Sequence, residues 1–266
     1  MTTQMKKQIS SKFLFALGIS LSLIACNQSG KTDEPASTSD TAAQQTEAVA
    51  QTPAPDQSMD AAKVAPDLYK VVKDTMGIRI LEINYKPGDS SAMHSHPDNV
   101  LYVIDGGKSL MTAKDGTTQT NELKSGMIAI NGSGTHSVKN VGTKPVKAIL
   151  IEVSRPNNAA PAQDPAMDAT KVAPTLYKTV ADSLNIRVVM ATYKPGASSA
   201  MHAHPDNAIY IVEGGKALMT SKDGTKMDNT FTKGTALVRP GESHSVKNTG
   251  STTLKVLIVE VNRPVQ

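Results

Sequence analysis

The chain has 266 residues and a formal net charge of +4, but Lys6, Lys7 and Lys12 carry three of those charges before residue 26 and leave the remainder nearly neutral. With no clustered basic stripe, the composition excludes a nucleic-acid-binding surface despite a pI near 9.0. Aromatic residues make up only 3% of the chain and tryptophan is absent, which excludes stacking platforms for sugars or exposed bases.

Residues 1–25 open with the basic pair Lys6-Lys7 and an apolar run from Phe13 to Ile24. That run is too short to span a bilayer and reads as an export signal. The one cysteine follows at Cys26, so no disulfide forms within the chain and no Cys-x-x-Cys motif exists. Leu23-Ile24-Ala25-Cys26 resembles the lipobox of bacterial lipoproteins. That resemblance implies cleavage before Cys26 and lipidation of its thiol and amine. The mature protein is then held at a membrane in the cell envelope, on the periplasmic face or in the outer membrane if the source is Gram-negative. Residues 26–57 are dominated by Ser, Thr, Ala, Gln and Pro without an apolar period, the composition of a disordered tether.

Met59-Asp60 opens a unit that returns at Met167-Asp168 without a gap, an offset of 108 residues. Lys63-Val64-Ala65-Pro66 returns as Lys171-Val172-Ala173-Pro174, and Lys114-Asp115-Gly116 as Lys222-Asp223-Gly224. The chain therefore divides into a first domain at 58–156, a linker at 157–165 and a second domain at 166–266. Within each unit a short helix is expected near Asp60–Ala65, then a strand at Ile78–Tyr85 broken by Lys86-Pro87-Gly88. Val100 to Ile104 reads as a second strand. Ser109–Thr112 and its return strand flank Asp115-Gly116, a hairpin signal. Met127–Ile130 and Val146–Val153 are further apolar runs. Many short strands at regular spacing predict an all-β sandwich or barrel in each unit.

The six histidines fall into two sets with the same offset, His94, His96 and His136, then His202, His204 and His244. Alternate residues of a strand face the same side, so the two imidazoles of each His-x-His project together and can chelate a metal. The third histidine lies about forty residues on, where a later strand can bring it opposite the pair. Gly88 to His96 followed by Gly106, then Gly126 to His136 and Asn140, resembles the two motifs of the cupins, and Gly196 to His204 with Gly234 to Asn248 repeats them. The resemblance covers roughly residues 59–264 and implies two tandem cupin (jelly-roll) barrels packed on each other. It also implies a divalent metal held by the His-x-His pair, a glutamate and the later histidine. The glutamate is missing: its place holds Asn99 or Val100 in the first copy and Asn207 or Ala208 in the second. Each site is then expected to offer three neutral imidazoles, with Asn99 and Asn207 as weak ligands or as hydrogen-bond donors just outside them. Iron, manganese, nickel, copper and zinc all fit such a donor set.

Arg79 and Arg187 sit mid-strand between aliphatics, opposite to the faces of Ile78 and Ile80, and read either as cavity arginines for a substrate carboxylate or as solvent-facing strand residues or domain-interface ion pairs. Tyr102 reads as core or interface packing, and Asp74 and Asp182 as turn residues before the first strand. Glu152 and Glu260, flanked by aliphatics, need a surface face or an arginine partner. The leading functional expectation is an exported, lipid-anchored protein binding a divalent transition metal in each barrel, with oxidative, dioxygenase-like or isomerising chemistry on a small oxygenated anion. The alternative is a non-catalytic lipoprotein that captures a small ligand or metal. Self-association is left open, and a third reading, a structural envelope protein, lacks working sites.

Overall fold

In a computed structural model, residues 57–154 and 164–261 are described. The expected export signal, Cys26, all but the last residue of the tether, and linker residues 157–163 lie outside them. No helix among the described residues is long and apolar enough to cross a membrane.

The first unit begins with helix α1 (Ala61–Val64), started by Asp60, whose carboxylate accepts from the amide of Ala62 at 2.9 Å. Nine strands follow: β1 (Tyr69–Thr75), β2 (Ile78–Tyr85), β3 (His94–His96), β4 (Asn99–Asp105), β5 (Gly107–Ala113), β6 (Thr118–Leu123), β7 (Ile128–Asn131), β8 (Gly134–Asn140) and β9 (Val146–Val153). The second unit repeats them as α2 (Ala169–Val172), β10 (Tyr177–Ser183), β11 (Ile186–Tyr193), β12 (His202–His204), β13 (Asn207–Glu213), β14 (Gly215–Ser221), β15 (Lys226–Phe231), β16 (Ala236–Arg239), β17 (Glu242–Asn248) and β18 (Leu254–Val261). Each unit closes a five-stranded sheet, β1-β2-β9-β4-β7 or β10-β11-β18-β13-β16, over a four-stranded sheet, β3-β8-β5-β6 or β12-β17-β14-β15. This is the two-sheet jelly roll expected for both halves.

The central strands explain why their sequences read as near-continuous apolar runs. Along β2, Ile78 and Ile80 leave the barrel on one face, while Leu81, Ile83 and Tyr85 fill its interior on the other. Strand β9 does the same with Ile149 and Ile151 outward and Val146 and Leu150 inward. The outward residues join Ile186, Val188, Leu257 and Val259 of the second unit in one shared core, so the five-stranded sheets pack on each other. Tyr102 meets Tyr210 within that shared core at a centroid distance of 5.5 Å, the interface packing expected of it.

Strands β1 and β10 differ from the sequence expectation. The chain enters the sheet one strand before Ile78, and Asp74 and Asp182 lie within these strands rather than in a turn ahead of the first one. Only Tyr69 is buried among the residues of β1; the rest of this edge strand carries no apolar alternation to betray it. The β1–β2 hairpin turns through Met76 and Gly77 at φ 56° and 68°. Positive φ at both central residues matches the twist of paired strands. Gly106 and Gly214, which end the β4 and β13 runs, admit no side chain: a Cβ on Gly214 would lie 2.5 Å from the carbonyl oxygen of Phe231.

Candidate metal centres

The His-x-His strands are short because Pro97 and Pro205 follow them at once. Within that length, His94 and His96 point the same way into the barrel and are 0% and 4% exposed. Strand β3 pairs antiparallel with β8, and in that register His94 stands directly opposite His136. Strands β12 and β17 pair His202 with His244 in the same manner. The three rings of the first site have centroid separations of 4.9, 4.9 and 5.3 Å. In both triplets the ligand nitrogens lie within 4.8 Å of one another. An ion between them would need the nitrogens drawn inward to bonds of about 2.0–2.1 Å, the length typical of imidazole.

Hydrogen bonds set the tautomers. The Nδ1–H of His94 donates to the carbonyl of Ala92 at 2.8 Å, and that of His202 to Ala200 at 2.8 Å. The Nδ1–H of His96 donates to Glu152 Oε1 at 2.6 Å, and that of His204 to Glu260 Oε1 at 2.8 Å. Each Nε2 therefore keeps its lone pair. Those of His94 and His204 are buried without a hydrogen-bond partner. There is one such buried orphan Nε2 in each triplet, costly unless something binds it, and a divalent ion fits. Burial, reinforced by neighbouring imidazoles, lowers the pKa of His136 to about 4. Burial likewise lowers that of His202 to about 3, against a weaker upward pull from its bond to Ala200. His94 shifts in the same direction for the same first reason. These shifts favour the neutral form of His94, His136 and His202, the form that ligates a metal.

A carboxylate does stand behind each site, supplied by β9 and β18 rather than by the expected motif position. Glu152 and Glu260 are 1% and 0% exposed. Arg79 and Arg187 face into their barrels, but the reading of either as a substrate-binding arginine is corrected. Arg79 Nε donates to Glu152 Oε2 at 2.6 Å and its Nη1 meets Asp60 at 2.5 Å. Arg187 donates to Glu260 at 2.5 Å and meets Asp168 at 2.7 Å. The buried carboxylate directly across the ladder claims the guanidinium first. Each three-residue network carries one net negative charge, which offsets part of a bound dication. Burial alone would raise the Glu260 carboxyl, but the hydrogen bonds and charges of His204 and Arg187 outweigh it and hold it below the ordinary value.

Asn99 is corrected as a ligand. Its amide donates to the Pro97 carbonyl at 2.8 Å and its oxygen accepts from Asn131 at 3.0 Å, so it braces the loop after the His-x-His strand. Asn207 makes the same bond to Pro205 at 2.8 Å and also lines a cavity. Asp60 and Asp168 were not anticipated in the site. Each caps its short helix, ion-pairs the arginine, and bridges in parallel to the middle residue of the His-x-His strand. The exact return of Met59-Asp60 as Met167-Asp168 was the available signal. Tyr69 and Tyr177 also went unassigned. Their rings pack on His94 and His202 at centroid distances of 4.9 and 4.8 Å. Burial first, then the neighbouring tyrosine, raises both phenols well above their ordinary pKa and keeps them protonated.

The second barrel holds a cavity of about 560 Å³, counted with its open mouth. His204 and His244 line it with apolar residues such as Ile209 and Phe231, and Arg239 and Glu242 stand at its polar end. Arg239 Nε meets Glu242 Oε1 at 3.1 Å, and the same oxygen lies 3.3 Å from His244 Nδ1, close enough for a charge contact but misaligned for a hydrogen bond. The first barrel has Asn131 and Gly134 at these two places, so the two sites are chemically unequal.

Residues 189–260 match the cupin domain family model. Among solved structures, the chain is similar to oxalate decarboxylase from Bacillus subtilis, a protein described with Mn(II) centres, at 14% identity over 71% of this chain and 70% of that one, with a TM-score of 0.50. The same enzyme at pH 4.6 aligns at 17% identity over 70% of this chain and 68% of that one, also with a TM-score of 0.50. Likeness at this identity shows the fold: two cupin barrels in tandem. No curated protein matches the chain.

Proposed function

We propose that the protein is an exported, lipid-anchored cupin that holds one divalent transition metal ion in each barrel and takes a small oxygenated anion at the second. The observation that carries this reading is the convergence of three imidazoles in each barrel, with one buried Nε2 lone pair in each, at His94 and at His204, that no protein group satisfies. His94, His96 and His136 would hold the first ion, and His202, His204 and His244 the second. A bound ion supplies Lewis-acid polarisation of a ligand oxygen. The protein's own residues do the rest: Glu152 and Glu260 orient one imidazole in each site, and the apolar cavity wall of the second barrel excludes water. Arg239, 30% exposed and paired only with the 33% exposed Glu242 among the ion pairs, can exchange that partner for a ligand carboxylate. Dioxygenase-like or isomerising chemistry fits this arrangement, and no protein nucleophile is assigned to it. Export and lipidation at Cys26 rest on the N-terminal sequence alone; Cys26→Ser is expected to release the protein from the membrane fraction.

Metal analysis of the purified full chain is expected to find two transition-metal ions per molecule, falling to one in His202→Ala/His204→Ala and to fewer than 0.2, on the order of background, when His94→Ala/His96→Ala is added. Substoichiometric metal in the wild-type chain after loading sinks the reading. A second expectation separates the two barrels. Arg239→Ala should weaken binding of a small carboxylate by about tenfold, the scale of one lost charge-assisted hydrogen bond, while the metal count stays at two. Equal carboxylate affinity in calorimetry would remove the anion assignment and leave the metal assignment standing.

A further inference from the structure

We propose that Tyr177, and Tyr69 in the first barrel, donates a hydrogen bond to an oxygen ligand of the metal, with Tyr193 and Tyr85 holding that donor on target. The inference rests on the metal reading above and goes past it to the group that meets the bound ligand.

The direction of the hydrogen bonds forces the assignment. Tyr177 Oη lies 2.8 Å from His202 Nε2. His202 has already committed its Nδ1–H to the carbonyl of Ala200, so Nε2 only accepts and Tyr177 must donate to it. Tyr177 Oη is then free to accept, and Tyr193 Oη donates to it at 2.7 Å. The chain Tyr193 to Tyr177 to His202 has one polarity, and its members are 2%, 3% and 0% exposed. It ends on the lone pair that a metal ion takes. Once an ion binds His202, the Tyr177 proton loses its acceptor inside a dry barrel, where an unmet donor is costly. The neighbouring hydroxyl of Ser199 accepts from the Val246 amide at 3.1 Å and donates to its carbonyl at 3.5 Å, and its second lone pair is the competing acceptor within reach of Tyr177. An oxygen ligand of a bound ion would be a charge-bearing acceptor for the same proton. The first barrel repeats the tyrosine pair but not its bond to the imidazole: Tyr85 Oη donates to Tyr69 Oη at 3.0 Å and the Tyr69 ring packs on both His94 and His96, while His94 Nε2 has no hydrogen-bond partner. Tyr69 and Tyr177 recur at the repeat offset along with the histidines, although they lie on β1 and β10, strands that contribute no histidine.

The test uses the full chain loaded with Co(II), whose visible bands report ligand exchange at the ion, and formate as the oxygen-donor probe. Tyr69→Phe/Tyr177→Phe is expected to keep two cobalt ions per chain and to bind formate about five- to tenfold more weakly, the worth of one hydrogen bond. Retained cobalt with unchanged formate affinity overturns the proposal alone. A wild-type chain that takes up no cobalt overturns the metal reading and this inference with it. Should the double variant fail to fold, Tyr85→Phe/Tyr193→Phe leaves both donors in place but frees them to rotate. Formate binding is then expected to weaken by about twofold, and unchanged affinity in that variant also defeats the proposal. In the metal-free chain, Tyr177→Phe should move the His202 Nε2 nitrogen resonance toward that of an unbonded imidazole, a shift that general loosening of the barrel does not produce.

Discussion

Replacing Glu260 with alanine is expected to destabilise the protein by about 3–5 kcal/mol and to weaken metal binding in the second barrel by about 10–100-fold. Glu260 is fully buried and accepts from His204 at 2.8 Å and from Arg187 at 2.5 Å. Truncation leaves the Nδ1–H of His204 without its acceptor and Arg187, a guanidinium 7% exposed, with Asp168 as its remaining carboxylate. The cost is that of a buried guanidinium left with one carboxylate in place of two and of an unmet imidazole donor, not of a lost surface pair. Glu260→Gln should fall between: the amide oxygen can still accept from His204, but the charge that holds Arg187 is gone. Arg187→Ala added to Glu260→Ala should recover part of the loss, because the stranded charge leaves with it. Urea denaturation gives the stability and competitive chelator titration the affinity. A loss below about 1 kcal/mol for Glu260→Ala would show that the network does not hold the barrel.

The metal-free protein is expected to lose stability steadily as the pH falls below about 6.5, long before its carboxylates titrate. In the unfolded chain each imidazole takes a proton near pH 6.5. In the folded barrel, burial and neighbouring imidazoles delay this to about 4 for His136, and burial delays it to about 3 for His202. Between those values the unfolded state binds protons that the folded state refuses. The stability these rings contribute is therefore complete above pH 6.5 and is lost as the pH falls toward about 4 and then 3. Each ring removes about 1.4 kcal/mol per pH unit across its own window. The depressed Glu260 adds to the loss below its unfolded pKa, with the same sign. Bound metal should shift the whole curve to lower pH, because an occupied lone pair cannot take a proton. Urea midpoints of the chelator-treated protein at pH 7.5, 6 and 5 measure the slope, and His136→Gln/His202→Gln should flatten it. A midpoint constant over that range contradicts the buried, neutral state of the rings.

The histidines were legible because their chemistry depends on spacing. Two residues apart on a strand places His94 and His96 on one face, and the repeat offset marks His136 as their companion. The central strands were legible because both of their faces are buried, which leaves long aliphatic runs such as Val100 to Ile104. Strands β1 and β10 were not, since an edge strand facing water needs no apolar pattern. With them went Tyr69 and Tyr177, which look like ordinary core residues until the strand is placed across the barrel from the His-x-His pair.

Taken alone, the amino-acid order determined what depends on local period and on repetition: two all-β units, three histidines in each, and a carboxylate missing from its usual place. Which charges meet was decided only by the tertiary structure. Arg79 and Glu152 are 73 residues apart and become neighbours only when β2 and β9 pair. Glu152 reaches His96 only because that pairing turns it into the same interior. The inequality of the two sites is written at Asn131 and Arg239, and at Gly134 and Glu242, but its meaning appears only once these residues border the imidazoles. The physical reason is common to all three. A side chain's face follows from its neighbours in sequence, whereas its partner follows from strand register, which is set by packing across the whole barrel.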